Sequence, residues 1–478
     1  MLDIVIIGGG VIGCAIAREL SKYKLNITVV EKEEDVASGV SKANSGIIHA
    51  GYNEKENSLK AKLCIRGNAM YDELAKELDV TFKRNGAFVV AFTKYEETLL
   101  YKLVENGTKL GVNGLAVLSK DEVKKLEPSL SDDIVAALKV PTSGIINPYE
   151  LTIALGENAS ANGVQFLRNS KVTAIHKAED GTYEVMVNEV TKIPTKLVIN
   201  AAGLYSDQIA SMVGTNDFSI IPVKGEYCLF NKDVGKRVTS TIFQFPTETT
   251  KGVLVTPTSD GNLLVGPNAI ASEGKEDVST AKKELVKLLS TGELSVPDLP
   301  VKGILTTFSG LRPKTEDGDF IIQEDSHNKG IIHLIGIDSP GLTAAPAIAC
   351  YVKDMIGTMI PLKERESFNP IRTRIPRFSA MSKEERNAMI QKKPEYGKII
   401  CKCELITEGE IIEAIHRPLG ARTVDGVKQR TRATQGGCQG LGCLLPVSKI
   451  IARELDIPLN KLMKNKPGSN AIAFKEEK

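Results

Sequence analysis

The stretch DIVIIGGGVIGCAIARELSKYKLNITVVE, residues 3–31, decides the fold. Asp3–Ile7 is an unbroken apolar run, the pattern of a parallel strand buried on both faces. Val11–Tyr23 has helical periodicity, and Asn26–Glu31 is β-branched and reads as a second strand. The three together make a βαβ unit, with Gly8-x-Gly10-x-x-Gly13 at the turn between strand and helix. Each glycine has a mechanical reason: a tight turn, close approach of backbone to a pyrophosphate, and contact of helix with strand. The helix N-terminus offers free N–H groups and about half a positive charge to phosphate. Glu31 closes the second strand, where a carboxylate accepts from ribose hydroxyls and argues against a 2′-phosphate. This segment predicts a bound dinucleotide and does not separate FAD from NAD.

The chain of 478 residues is too long for one core, so two or three domains are expected. Its 42% hydrophobic and 25% charged residues are those of a globular protein. The opening apolar run contains Arg18 and Glu19, follows no basic segment and has no small-residue cleavage site, so it does not read as a signal peptide. No stretch supplies about 20 uninterrupted apolar residues, so no transmembrane segment is expected. A cytoplasmic location follows as the expectation, with contact at the inner face of a membrane left open. Eight cysteines without an export signal point to metal rather than disulfides.

Charge is unevenly distributed. Residues 361–478 hold 23 Lys/Arg against 14 Asp/Glu, whereas the first 360 hold 38 against 45. The C-terminal part therefore reads as a separate unit. It has no basic run interleaved with aromatics, which argues against a nucleic-acid partner.

Further along, Phe82–Phe92 reads as a strand and Lys94–Leu110 as a helix. Lys196–Asn200 is a strand ending in Ala201-Ala202-Gly203, and Ile331–Ile335 leads through Gly336 to a helix over Leu342–Ile356. Between Pro222 and Leu305 short strands alternate with turn signals such as Ser259-Asp260-Gly261-Asn262, the pattern of an antiparallel sheet. Pieces of a nucleotide domain thus alternate with pieces of a second one. The expected division is 1–81, 143–215 and 325–360 for the first and 82–142 and 216–324 for the second. A Pro-rich linking or wrapping segment, 361–395, then leads to a unit at 396–478.

Asn200-Ala201-Ala202-Gly203 and Gly336–Thr343 resemble the further flavin contacts of the D-amino-acid-oxidase-like flavoproteins. That superfamily includes glycerol-3-phosphate dehydrogenases, glycine and sarcosine oxidases and 2-hydroxyglutarate oxidases. The resemblance covers residues 1 to about 360. It implies an α/β fold, with a Rossmann-like FAD-binding domain interleaved with an antiparallel-sheet α+β substrate domain. It also implies that Gly341, Leu342 and Thr343 lie at the flavin pyrimidine edge, where a helix N-terminus stabilises charge on the reduced ring. Val172, Ala202, Gly203 and Gly336 join the implied cofactor contacts. Ser41–Gly51 (SKANSGIIHAG) corresponds to the loop under the isoalloxazine ring, with Asn44, Ser45 and Gly46 as ring contacts. His49 in that loop is the candidate base for a substrate hydroxyl.

Ser309-Gly310-Leu311-Arg312-Pro313 resembles the segment that places an anion-binding arginine above the flavin. A guanidinium matches a carboxylate or phosphate bidentately. Pro222–Tyr227 resembles the strand crossing the substrate pocket, which makes Lys224 the second candidate anion contact. The other histidines, His176, His327, His333 and His416, read as structural.

Cys401-x-Cys403 and Cys438-x-x-x-x-Cys443, separated by 34 residues, place four thiolates in the C-terminal unit. Four cysteines hold a [2Fe–2S] centre or a tetrahedral zinc; Cys-x-Cys departs from the usual zinc knuckle. The spacing, with Arg430-Thr431-Arg432 and Gly437-Cys438-Gln439-Gly440, resembles the bacterioferritin-associated-ferredoxin-like [2Fe–2S] domain. That domain occurs at the C-terminus of anaerobic-type glycerol-3-phosphate dehydrogenases. Lys402, Lys428, Arg430 and Arg432 are expected to offset the cluster's charge. Cys14, Cys64, Cys228 and Cys350 read as core residues.

A flavin that accepts a hydride, joined to a centre that passes single electrons, predicts a dehydrogenase feeding a carrier. The resemblance implies oxidation of sn-glycerol 3-phosphate to dihydroxyacetone phosphate, with a second flavoprotein or a quinone-linked subunit as partner. An L-2-hydroxy acid such as 2-hydroxyglutarate, or an amine or imino acid, is the alternative substrate. A non-catalytic electron-transfer subunit is the alternative of another class.

Overall fold

The computed structural model describes residues 1–245, 252–272 and 274–472. The expected divisions 216–324 and 396–478 include residues 246–251, 273 and 473–478, which lie outside the described residues.

Leu2–Ile7 is the centre of an eight-stranded sheet, flanked in parallel by Ile27–Val30 and by Thr191–Asn200, with Ile331–Ile335 parallel beyond the latter. The register sets Ile7 beside Asn200 and Asn200 beside His333. The carboxyl ends of three strands distant in sequence therefore meet at one edge, where ligands bind in open α/β sheets. Helices Val11–Leu20, Pro148–Ala161 and Gly341–Met359 cover this sheet and share the largest apolar core, including Ile4, Ile16, Leu151 and Ile348.

The second sheet has nine strands. Its longest pair, Ile221–Phe230 and Ile304–Lys314, is antiparallel. The sheet is mixed rather than wholly antiparallel, because Thr241–Gln244 runs parallel to Ala87–Ala91. The reason is topological: Ala87–Ala91 and its hairpin partners come from an earlier segment, and two antiparallel halves join along this seam. The expected strand Phe82–Phe92 is broken at Gly86, whose φ of +69° suits glycine. Phe82–Lys83 joins a small three-stranded sheet with Ile47–Ile48 and Gly144–Ile146, and Ala87–Ala91 joins the large one. The small sheet thereby ties the loop around Gly46 to both larger sheets.

The C-terminal unit has its own core of Ile411, Ile415, Val427, Val447 and Ile451, on helices Glu408–His416, Val424–Thr431 and Leu444–Leu455. The chain before it lies along the first domain. Arg365 donates to Ser21 O (3.1 Å), and Arg372 and Arg417 share the buried carboxylate of Glu157 (2.6 and 2.8 Å). Three of the four basic residues expected to offset a cluster are engaged in ion pairs, and the fourth, Lys402, is exposed. Arg430 grips Asp35 through both terminal nitrogens, at 2.6 and 2.9 Å. Arg432 holds Asp260 and Glu404, both at 2.9 Å, and Lys428 pairs with Asp425 at 3.0 Å. Part of the basic balance of this unit thus serves an interface, where Arg417, Arg430 and Arg432 meet Glu157, Asp35 and Asp260, while Lys398, Lys428, Arg453 and Lys464 pair within the unit.

The Arg430–Asp35 pair is almost wholly buried, so deleting one partner strands a charge in low dielectric. Arg430→Met is expected to lower stability by about 3–5 kcal/mol, measured as a shift of the denaturant midpoint. It should also expose the 361–395 segment to limited proteolysis.

Candidate functional site

The three glycine junctions converge at the carboxyl edge of the parallel sheet. A Cβ on Gly8 would lie 2.5 Å from Ala201 O, and one on Gly13 would lie 2.0 Å from Gly8 O. Both positions therefore exclude every other side chain, and the turn stays low enough for a ligand to cross it. The helix beginning at Val11 has no side-chain cap at Gly10, and the helix beginning at Gly341 has none at Pro340. Two helix N-termini thus open toward this edge, the donor arrangement that suits a pyrophosphate and a flavin ring. Ser41, which the fingerprint does not include, accepts from Val11 N at 2.9 Å and holds the loop against the first helix.

Glu31 accepts from Gly9 N (2.6 Å) and Glu33 N (2.9 Å). Burial pushes its carboxyl above the ordinary range, and those two bonds oppose the push. Ala202 N–H donates to Asn200 Oδ1 at 3.3 Å, and Gly203 follows at φ +55°. Val172 is buried with Ile7 and Val30, beside the ends of the first two strands. Gly336 (φ +69°) presses on Thr315, 2.6 Å from a Cβ built there.

In the loop, Asn44 works on its own backbone. Its amide donates to Val40 O (3.0 Å) and Ser41 O (3.1 Å), and its oxygen accepts from Gly46 N (2.9 Å). Gly46 lies so close to Ile146 O that a Cβ would come within 2.3 Å. Ser45 follows Asn44 on this frame, half-buried. His49 is brought to the second helix N-terminus from 294 residues away, its N–H donating to Thr343 Oγ1 at 2.8 Å. Its Nε2 lies 3.4 Å from Ser339 Oγ, and its ring centroid is 6.0 Å from that of Phe243. Leu342 O accepts from the buried Tyr71 hydroxyl. Gly67 packs the helix Leu59–Glu77 onto Thr343, where a Cβ would meet the carbonyl at 2.1 Å. A glycine inside a helical pattern was the available signal for that contact.

Strand register separates the two candidate cations. Val223 pairs with Arg312, Gly225 with Gly310 and Tyr227 with Phe308, and these residues share one face. That face meets the loop, because a Cβ on Gly310 would touch Ala43 O at 2.1 Å. Arg312 crosses the strand over Gly225 to reach Asn268 O at 2.9 Å, and a Cβ on Gly225 would lie 2.5 Å from its Nη2. Tyr227 is hydrogen-bonded to it; burial pushes that phenol up, and the guanidinium opposes the push. Lys224 pairs with Leu311 and so points to the opposite face. There its ammonium is neutralised by Asp277 at 2.8 Å. The structure does not bring Lys224 to Arg312.

The four C-terminal cysteines are brought together in two pairs. Cys403 and Cys438 are hydrogen-bonded to each other and exposed; Cys401 and Cys443 are hydrogen-bonded and buried. Among the described residues no three His, Cys, Asp or Glu side chains converge on one point as a single ion requires. A [2Fe–2S] rhomb takes two thiolates on each iron. Backbone N–H groups of Gly442, Gly440 and Leu441 point at Cys438 Sγ and pull its thiol down, while burial pushes Cys443 up to about 12. Leu405, Arg432, Thr434 and Gln439 all adopt positive φ around the thiols. Such strain is held where a loop is shaped for a ligand.

Residues 3–355 match the family described as DAO, FAD dependent oxidoreductase. The chain belongs to that family. Residues 399–453 match the BFD-like [2Fe-2S] binding domain, and FAD and a [2Fe–2S] cluster are its cofactors. Among relatives of this FAD-dependent oxidoreductase, a glycerol 3-phosphate dehydrogenase of Caloramator mitchellensis is 49% identical over 98% of both chains. The human mitochondrial L-2-hydroxyglutarate dehydrogenase is 30% identical over 74% of this chain and 88% of its own. The solved structure of the dithionite-reduced L-α-glycerophosphate oxidase of Mycoplasma pneumoniae, with FAD bound, superposes with a TM-score of 0.75. It is 37% identical and covers 78% of this chain and 98% of its own.

Gly13→Ala is expected to abolish flavin retention, and Ser41→Ala to weaken it about fivefold through a lost cap of about 1 kcal/mol. Both are read as flavin per polypeptide after dialysis. Cys443→Ser should remove the cluster's absorbance and leave the flavin's.

Proposed function

We propose that this protein oxidises sn-glycerol 3-phosphate to dihydroxyacetone phosphate and passes the electrons through its cluster to a partner protein. The carrying observation is Arg312, held by Asn268 and Tyr227 on the sheet face that meets the Ser41–Gly51 loop. A single fixed guanidinium there suits one dianionic phosphate on a small substrate. A dicarboxylate such as 2-hydroxyglutarate asks for a second cation, and Lys224 is turned away and neutralised. The substrate named by the 49% identical relative agrees with this preference.

In this reading Arg312 binds the phosphate and sets the far end of the substrate. His49 takes the proton of the C2 hydroxyl, its ring steadied by Ser339 and its backbone by Thr343 and Asn68. The cradle at Gly8–Gly13 and the helix beginning at Gly341 would hold the FAD, which would supply the acceptor for the C2 hydride. Asn44, Ser45 and Gly46 shape the loop that would carry contacts to it. The cluster domain distinguishes this chain from the oxidase: the alignment spans 98% of that enzyme but leaves part of this chain without a counterpart. A one-electron centre on the same chain directs electrons to a carrier, and a second flavoprotein or a quinone-linked subunit is the partner we propose. No described helix is long and apolar enough to cross a membrane.

With an artificial acceptor, glycerol 3-phosphate should turn over far faster than 2-hydroxyglutarate, proline or glycine, and failure to bleach the flavin anaerobically would sink the assignment. Arg312→Ala removes charged hydrogen bonds of about 1.5–3 kcal/mol each, so KM should rise by 10²-fold or more. His49→Gln should lower kcat by about 10²–10⁴-fold with little change in KM.

A further inference from the structure

The cluster loop presents a built surface that neither the flavin site nor the domain interface uses. Of the four thiols, Cys401 and Cys443 face the unit's core, whereas Cys403 and Cys438 face solvent. Three exposed leucines lie within three residues of a cluster cysteine in sequence. Leu405 follows Cys403 by two residues and is 41% exposed, Leu441 is 92% exposed between Cys438 and Cys443, and Leu445 is 47% exposed one turn on. An apolar residue as exposed as Leu441, beside two more, marks an interaction site rather than a random surface leucine. Lys449 lies one helical turn beyond Leu445 on the same face, and Lys402 lies in sequence between Cys401 and Cys403; both are exposed. The nearest carboxylates are turned away: Glu404 is held by Lys232 and Arg432, and Glu408 by Lys398 and Arg453.

We propose that this edge, centred on Leu441 with Leu405 and Leu445 and rimmed by Lys402 and Lys449, docks a protein electron acceptor. Its face should be apolar at the centre and acidic at the rim. The proposal rests on the reading that electrons leave through the cluster, and it assigns where they leave. Charge complementarity selects the acidic partner, and desolvation of the leucines brings that partner's redox group against the exposed sulfurs. A lipid surface fits less well. Three leucines and two lysines fall short of the paired anchoring signals that stable membrane attachment takes.

The test uses the holoenzyme with both centres loaded and two soluble probes of opposite charge: the acidic haem domain of cytochrome b5 and the basic cytochrome c. Glycerol 3-phosphate is the reductant, and cluster reduction is followed separately by electron paramagnetic resonance. The expected result is faster reduction of cytochrome b5 than of cytochrome c, with a rate that falls as salt rises. Leu441→Asp should slow cytochrome b5 reduction tenfold or more, and Lys449→Glu should narrow the preference between the probes. In each variant, cluster reduction by substrate and turnover with a small dye should stay at wild-type rates.

Wild-type rates with cytochrome b5 in Leu441→Asp overturn the docking surface, as do equal rates for the two probes or no reduction of either by an enzyme whose cluster is reduced. So does a dimer that Leu441→Asp dissociates, or sedimentation of the wild type alone with anionic phospholipid vesicles. A cluster that glycerol 3-phosphate never reduces points instead to failure of the electron-exit reading.

Discussion

The register of three parallel strands is the constraint on which the rest depends. Ile7, Asn200 and His333 stand side by side, so the chain leaves the sheet at Gly8, Ala201 and Gly336 along one edge. Gly8 is pressed against Ala201 O closely enough to exclude a side chain, which locks the first turn to the end of the third strand. His333, fully buried, bonds Asn200 on one side and Asp325 on the other, and so ties the neighbouring strands together just behind the edge. Two helix N-termini whose N-cap residues, Gly10 and Pro340, make no side-chain cap then share one space. Ser41 takes Val11 N–H, and the remaining donors and the dipoles suit an anionic ligand.

The second organising feature is electrostatic. Asp35 lies in the loop that continues from Glu31, and it is held by Arg430 from the cluster domain and approached by Arg168 at 3.7 Å. The same loop packs Val36 against Gly9. The loop after Glu31 and the cluster domain are therefore packed together, joined through a buried guanidinium–carboxylate pair. Glu157 makes a second such joint with Arg372 and Arg417, and Asp260 a third with Arg432 and Arg377. A basic C-terminal unit on a more acidic body is the compositional trace of these joints. Arg430 and Arg432, which read as compensation for a metal centre, dock the domain.

Strand parity shows how far a linear pattern reaches. Lys224 and Arg312 both lie on segments that resemble substrate-pocket strands, and both are cations. Antiparallel pairing puts them one residue out of step, hence on opposite faces, and a period of two leaves no intermediate outcome. The sequence cannot reveal this, because the pairing partner of Lys224 lies 87 residues on and the register is set by packing. Gly225 and Gly310 carry the same lesson: each is glycine because another segment passes within contact distance.

The local signals were sufficient for the first βαβ unit, its glycine turn, the helix that begins at Gly341 and the iron–sulfur domain. In each case the determining interactions lie within a few tens of residues, or the residue type itself dictates the chemistry. Only the tertiary structure decided that His49 meets Thr343, that Arg312 faces the loop and Lys224 does not, and that the arginines after the linker bind carboxylates of other domains. It also decided which two cysteines face solvent. These outcomes depend on register and docking between segments hundreds of residues apart, where many pairings satisfy the same local pattern and burial selects one.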